Sequence, residues 1–378
     1  MSRHLLWLVA GLAGGWVALV PPAAKAEEGF VSLFNGRDLE GWVIQDGPDG
    51  CFRARDGRLE CTGAYGFPAW LRSERTYENF TLRFEFRLGY YAESGLLIHA
   101  PLHGRKSRVG IGVKLCDDEA PGARAQHCGT IIGVSPPRHV ATHHFDEWNQ
   151  VEVHVDYPQL RVILNGKVVQ DLDCQQNEKL RYRLRHGYIG LQNMGKRTQF
   201  RNLRIKELPS KVTWMPLFDG KTFDGWRRIG GASWEINDGV LKTANGNGYL
   251  ITDEQYEDFA LFTYVRTSRH ANGGIFYRWK TLRPSDRGYE IQIENIPDSN
   301  NPTGSIYTID RADVLTVRDG EWFPMQIFVK GRTTVVRVNG ETCARSDSLT
   351  LVRAGHIALQ MHRRNSSVEF KEIRIRPN

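Results

Sequence analysis

The stretch best suited to chemistry is Gly288-Tyr289-Glu290-Ile291-Gln292-Ile293-Glu294-Asn295. Apolar and polar residues alternate strictly along it, which predicts a β-strand. Successive side chains on a strand point to opposite faces. Tyr289, Ile291 and Ile293 therefore share one face and would pack into a core, while Glu290, Gln292 and Glu294 share the other. Two carboxylates and an amide in one line suit a polar ligand, and a carboxylate held beside such a ligand can act as a general acid or base.

Such a row needs a framework, and the chain has the length for two domains. It has 378 residues, ordinary charged and apolar fractions, and 38 glycines scattered among short apolar runs. That pattern favours many strands and turns over helix bundles. Leu82-Arg83-Phe84-Glu85-Phe86-Arg87-Leu88 and Val151-Glu152-Val153-His154-Val155 alternate cleanly. Asn165-Gly166 and Asn339-Gly340 sit between apolar runs, the strongest short hairpin signal. A dozen or so short strands in each half predict an all-β fold: two tandem jelly-roll β-sandwiches.

The first 26 residues stand apart. Arg3 and His4 precede an apolar run from Leu5 to Val20, then Pro21-Pro22 and Ala24-Lys25-Ala26. A positive start, an apolar stretch and a small-residue site read as a cleavable signal peptide, so residues 1–26 are expected to be removed near Ala26 and the protein to be periplasmic or secreted. Losing Arg3 and Lys25 would lower the net charge from +7 to +5. The remaining basic residues are dispersed, which argues against nucleic-acid binding, and no other apolar run reaches spanning length. Export permits disulfides, and the local pairs Cys51–Cys61 and Cys116–Cys128 are the expected bridges, with Cys174 and Cys343 left in different halves. His139, His143 and His144 follow Pro136-Pro137 and are expected on a loop, not on a zinc-binding helix.

The chain then repeats itself. Leu33-Phe34-Asn35-Gly36 returns as Leu217-Phe218-Asp219-Gly220, and Gly41-Trp42 as Gly225-Trp226. Tyr77-Glu78-Asn79-Phe80 returns as Tyr256-Glu257-Asp258-Phe259, and the closing strand Phe200–Ile205 as Phe370–Ile375. This is duplication of a whole domain, with boundaries expected at 27–209 and 210–378.

Both copies resemble the 3-keto-disaccharide hydrolase domain family. The resemblance rests on L-F-N-G…G-W, D-G-x-L, Y-x-[ND]-F, G-I-F-x-R, Y-E-x-Q-I, T-G-x-x-Y, N-G and G-x-I-x-L-Q-x-H blocks, and it covers nearly all of the chain after the leader. It implies a concanavalin-like jelly roll, export, and hydrolysis of glycosides already oxidised at C3. The second copy keeps Gly274-Ile275-Phe276-Tyr277-Arg278, Tyr289–Ile293, Thr303-Gly304-Ser305-Ile306-Tyr307 and Leu359-Gln360-Met361-His362. The first has His99 for the arginine, Gly112 for the glutamate, Lys114 for the glutamine and Met194 for the histidine. The first copy is therefore expected to be non-catalytic, and the second to carry the site.

A 3-keto group acidifies the neighbouring C2–H, so a base can start an elimination that breaks the C1–O bond before water adds back. The resemblance implies Glu290 or His362 as base and acid, with Arg278 holding the enolate, and Gln292, Glu294, Tyr307 and Gln360 binding substrate hydroxyls. A divalent cation on Glu290 and His362 would also suit enolate stabilisation, although no dense ligand cluster demands one. No phosphate loop or nucleophile elbow is present, so a separate oxidoreductase would have to make the keto sugar. Two other readings stay open. Glu290-x-Gln292-x-Glu294 is similar to the E-x-D-x-E strand of laminarinase-like retaining glucanases, with glutamine in place of the central aspartate. The abundant tryptophans and tyrosines also suit a carbohydrate-binding or surface-interaction protein without catalysis.

Overall fold

A computed structural model describes residues 28–378 apart from 64–68, 120–125, 282, 297, 314–316 and 378, so the leader-like segment 1–26 lies outside the described residues. The described chain is almost wholly strand, turn and loop, and forms two tandem β-sandwiches with a core each.

In the second sandwich a five-stranded sheet runs in the order Trp226–Gly230, Gly248–Tyr256, Gly355–Met361, Gly273–Trp279, Tyr289–Ile293. An eight-stranded sheet covers its inner face, with Phe259–Thr267 and Ser367–Pro377 at its centre. The first sandwich repeats this order with Trp42–Gln45, Ala69–Tyr77, Gly187–Asn193, Glu93–Ala100 and Ile111–Cys116. All named pairings are antiparallel, so each strand can bury one face and leave the other wet. Tyr289, Ile291 and Ile293 enter the core as their alternation predicts.

The repeated sequence blocks are structural fastenings. Trp42 and Trp226 each donate an indole N–H to the carbonyl of Leu33 and Leu217, both at 2.6 Å, tying the opening segment of each copy to its sandwich. Asn165-Gly166 and Asn339-Gly340 take positive φ at both residues (49° and 77°, 51° and 87°), the turn geometry that matches strand twist.

The expected disulfides do not form: all six cysteines are free and buried. Cys116 Sγ instead contacts Gln126 O at 3.4 Å and the Asp118 carboxylate at 3.6 Å. Burial pushes the thiols up, Cys61 to about 11 and Cys128 to about 12, so they behave as small apolar core residues. His143 and His144 lie on a loop, near Glu147 and Glu119.

The sandwiches touch. The short helix Lys106–Val109 of the first brings Val109 against Phe262 and Tyr264 on the outer face of the second sandwich's eight-stranded sheet, together with Leu184. Leu102 N donates to the Tyr264 hydroxyl at 2.7 Å, Arg105 N to Asn339 Oδ1 at 2.7 Å, and Arg337 to Tyr182 O at 2.6 Å. Among the described residues no helix is long and apolar enough to cross a membrane.

Candidate active site

The outer face of the second five-stranded sheet forms an open cleft of about 460 Å³. Register fixes its floor. Gln292 lies opposite Gly274, which faces Gln360, which in turn faces Tyr249; Glu290 lies opposite Phe276 in the next row. Gly274 is required by space: a Cβ there would stand 2.5 Å from Glu290 Oε1, so only glycine lets the carboxylate lean across the sheet.

The carboxylate of Glu290 is half-buried between these neighbours. Loss of hydration pushes it up to about 7, opposed by the positive charge of Arg287. In the orientation that satisfies its surroundings, the Gln292 amide nitrogen donates to Gly273 O and Glu290 Oε1, both at 3.1 Å. Gln360 donates to the Tyr249 hydroxyl at 3.3 Å and keeps a buried Oε1 with no partner, an acceptor turned to the cleft floor. Arg287 donates to the same tyrosine hydroxyl at 3.0 Å. A carboxyl that ionises near neutrality, beside amides, a phenol and a guanidinium, can exchange protons with a bound hydroxylated ligand.

The wall of the cleft comes from the T-G-x-x-Y block. Thr303 Oγ1 accepts from Glu294 N at 2.8 Å, and Tyr307 N donates to Glu290 O at 2.9 Å, so the loop continues the sheet past its edge strand. Gly304 adopts φ 95° against Cys343 and Val338, where a side chain would collide. This docking presents the half-exposed Tyr307 ring to the cleft. His362 follows the last residue of its strand, is held by a backbone bond from its N to Asn272 O at 2.9 Å, and stands exposed at the rim.

Five of the seven expected residues therefore meet at one cleft: Glu290, Gln292, Tyr307, Gln360 and His362. Two do not. Glu294 lies just beyond the strand end, where its carboxylate accepts from Asn272 Nδ2 at 3.0 Å and Ser299 Oγ at 2.6 Å and pairs with Arg363 at 3.4 Å. It braces Asn272, which does line the cleft, but does not line it itself. The second carboxylate needed by a retaining glucanase is thus directed elsewhere.

Arg278 is the larger correction. Its side chain is wholly buried, away from the cleft, at a strand bulge where it takes φ 60°. It donates to Leu351 O at 2.6 Å and Gly331 O at 2.7 Å, and pairs with Asp258 Oδ1 at 3.3 Å. It is a pin between loops. The corresponding His99 of the first copy does the same work from φ 51°, touching Glu78 O at 2.6 Å and Leu184 O at 3.2 Å. Asp258, the partner of Arg278, corresponds to Asn79, and burial lowers His99 to about 4, so neither counterpart carries the charge. The change from arginine to histidine is a swap of fastenings and carries no information about catalysis.

The first copy's face is filled. A Cβ on Gly112, the counterpart of Glu290, would lie 2.6 Å from Ser107 Cβ, because the Lys106–Val109 helix lies over that position. Lys114 is ion-paired with Glu93 at 3.1 Å. Trp70, Leu97 and Ala100 form a buried apolar cluster there, with Lys106 over the Trp70 ring.

Sequence reasoning missed Arg287, Asn272 and Tyr249. Tyr249 had a signal, since it alternates with Leu250 on a strand that must face the same way. Among the described residues no group of three or more His, Cys, Asp or Glu converges, so Glu290 and His362 are the two candidate metal donors, fewer than a protein zinc site uses.

A family model described as the 3-keto-alpha-glucoside-1,2-lyase-like domain matches residues 29–206 and again 213–376. A 3-keto-disaccharide hydrolase from Bacteroides thetaiotaomicron is 29% identical over 164 residues, 34% of this chain and 56% of that protein. The chain thus spans about half the length of that curated relative. A putative glycosyl hydrolase structure from Parabacteroides distasonis is 21% identical with a TM-score of 0.43, covering 48% of this chain and 95% of the other. A Bacillus licheniformis β-glucanase covers 45% of this chain and all of its own, at 10% identity and a TM-score of 0.35.

Proposed function

Because the chain belongs to the 3-keto-alpha-glucoside-1,2-lyase-like family twice over, we propose that it cleaves 3-keto-glycosides by base-assisted elimination and hydration, in the second sandwich alone. The observation that carries this reading is Glu290: a half-buried carboxyl leaning across Gly274 into a cleft whose other groups are amides, hydroxyls and a guanidinium. In its ionised form Glu290 takes the C2 proton of the keto sugar. The electron pair moves to the C3 oxygen as an enolate, and collapse of the enolate expels the C1 oxygen, which leaves as an alcohol after gaining a proton. Water then adds at C1 while C2 is reprotonated, so hydrolysis is the net result. His362 at the rim is the candidate acid for the leaving oxygen. Arg287 and Tyr249 take over the anion-holding role first given to Arg278. Gln292, Gln360 and Tyr307 bind hydroxyls.

The first sandwich is a non-catalytic partner whose own face is packed shut. The leader-like segment supports work outside the cytoplasm, on keto sugars made by a separate oxidoreductase.

Turnover of 3-keto-disaccharides beside the unoxidised sugars, by wild type and Glu290→Gln with and without chelator, tests the reading. The expected result is cleavage of the keto sugar alone, reduced roughly 100- to 10,000-fold in the variant. Cleavage of plain β-glucan, or equal turnover by the variant, would overturn it.

A further inference from the structure

A second hollow, of about 630 Å³, lies on the other side of the second sandwich, between the outer face of its eight-stranded sheet and the first sandwich. Cations line it from both copies: Arg181 and Arg185 from the first, and Lys330, Arg345 and Arg376 from the second, with no carboxylate in the lining. Arg345 pairs with Asp347 at 3.0 Å. Among the described residues Arg185 donates to the Tyr157 hydroxyl, and Arg181 and Arg376 each bury an Nε–H without an acceptor.

These charges face one another across the junction, partly offset by Asp347 beside Arg345 and by the Tyr157 hydroxyl, which accepts from Arg185. Arg185 stacks on the Tyr157 ring with its guanidinium 3.4 Å from the centroid. Burial lowers it to about 10; Tyr157 opposes this, and Arg376 of the other sandwich adds to it. Like charges brought together in a partly desolvated groove oppose the contact between the two copies unless an anion enters. Tyr182 packs against Phe328 across the same seam, centroids 4.8 Å apart, so aromatic surface lies next to the guanidinium forks.

We propose that this inter-domain groove binds an anionic saccharide, one bearing carboxylate or sulfate groups. Planar guanidinium groups hold carboxylate and sulfate through two parallel hydrogen bonds, and aromatic rings cover sugar C–H faces. The choice of a saccharide over other anions rests on the proposed function; the anion site itself does not, because it shares no residue with the cleft.

The experiment is calorimetric titration and thermal shift on the whole chain with trigalacturonate, a sulfated chondroitin tetrasaccharide, neutral cellotriose and sodium sulfate. We expect one of the acidic sugars to bind at least tenfold more tightly than cellotriose, and to raise the melting temperature. Trigalacturonate binding alone would identify carboxylates, and chondroitin binding alone would identify sulfate esters. Arg185→Gln with Arg376→Gln, and separately the exposed Lys330→Gln, should weaken binding by tenfold or more while keto-sugar turnover stays unchanged. Equal binding of cellotriose, sodium sulfate binding as tightly as the acidic sugars, or undiminished binding by folded variants would overturn the proposal. Absence of keto-sugar turnover would count against the proposed function and leave this binding result standing.

Discussion

At the scale of single residues, two side chains carry opposite lessons. Glu290 stood on the polar face that alternation assigned to it, and its chemistry follows from what surrounds it. Its carboxyl is raised from 4.5 to about 7 by burial, so the folded protein favours the protonated form. The sign follows: this preference supports folding below the unfolded value near 4.5 and is lost as pH rises through about 7. Glu290→Gln should therefore raise stability at pH 8 by up to roughly 3 kcal/mol, with little change at pH 4, in denaturant titrations at the two pH values. In the wild type, kcat/KM for the keto sugar should rise as pH passes about 7, as the base ionises. Sequence places Arg278 one strand from Glu290 without showing that its acceptors belong to Leu351 and Gly331, far along the chain, so its buried role is not legible there. Arg278→Ala should cost roughly 2–4 kcal/mol, since it leaves the Leu351 and Gly331 carbonyls without their buried donor, while Asp258 keeps the Gly331 N–H. Urea denaturation measures this. Arg278→His with Asp258→Asn, which copies the first sandwich, should recover part of the loss.

At the scale of elements, much was legible. Alternation located the strands, Asn-Gly located two hairpins, and the repeated tryptophans marked the opening segments because each must reach one carbonyl to close its copy. The Lys106–Val109 helix was not legible: four residues are too few to show a period of 3.6. The expected bridges are absent although both pairs are neighbours: the thiols sit free in the core, and Cys116 is turned to Asp118 and the Gln126 carbonyl. The close passage between the Gly273–Trp279 and Tyr289–Ile293 strands yields a sharper test. Gly274→Ala places a methyl where Glu290 Oε1 lies, and the flexible carboxylate gives way before the backbone does. We expect kcat to fall about tenfold or more with KM and melting temperature nearly unchanged, since one proton-transferring group is displaced and the fold is kept. Steady-state kinetics with a melting curve on the same sample settles it.

At the scale of the whole molecule, duplication has produced two copies with the same strand order and different surfaces. The first copy's sheet face is covered by its own helix, and that helix is in turn seated on the back of the second copy through Val109, Phe262 and Tyr264. None of this could be read from composition, because contact between copies depends on which strand faces point outward after folding. Gly112→Glu in the first copy should give no keto-sugar turnover in a Glu290→Gln background, and should lower the melting temperature, since its side chain meets Ser107 at once. The same arrangement governs which histories are open to the protein. Once a helix occupies the vacated position and a neighbouring module leans on that helix, restoring the acid alone gives nothing back. Restoring it together with an emptied face would loosen the joint on which the second sandwich rests. A first sandwich able to take a ligand on this face therefore needs at least two changes together, an acid at Gly112 and a displaced helix.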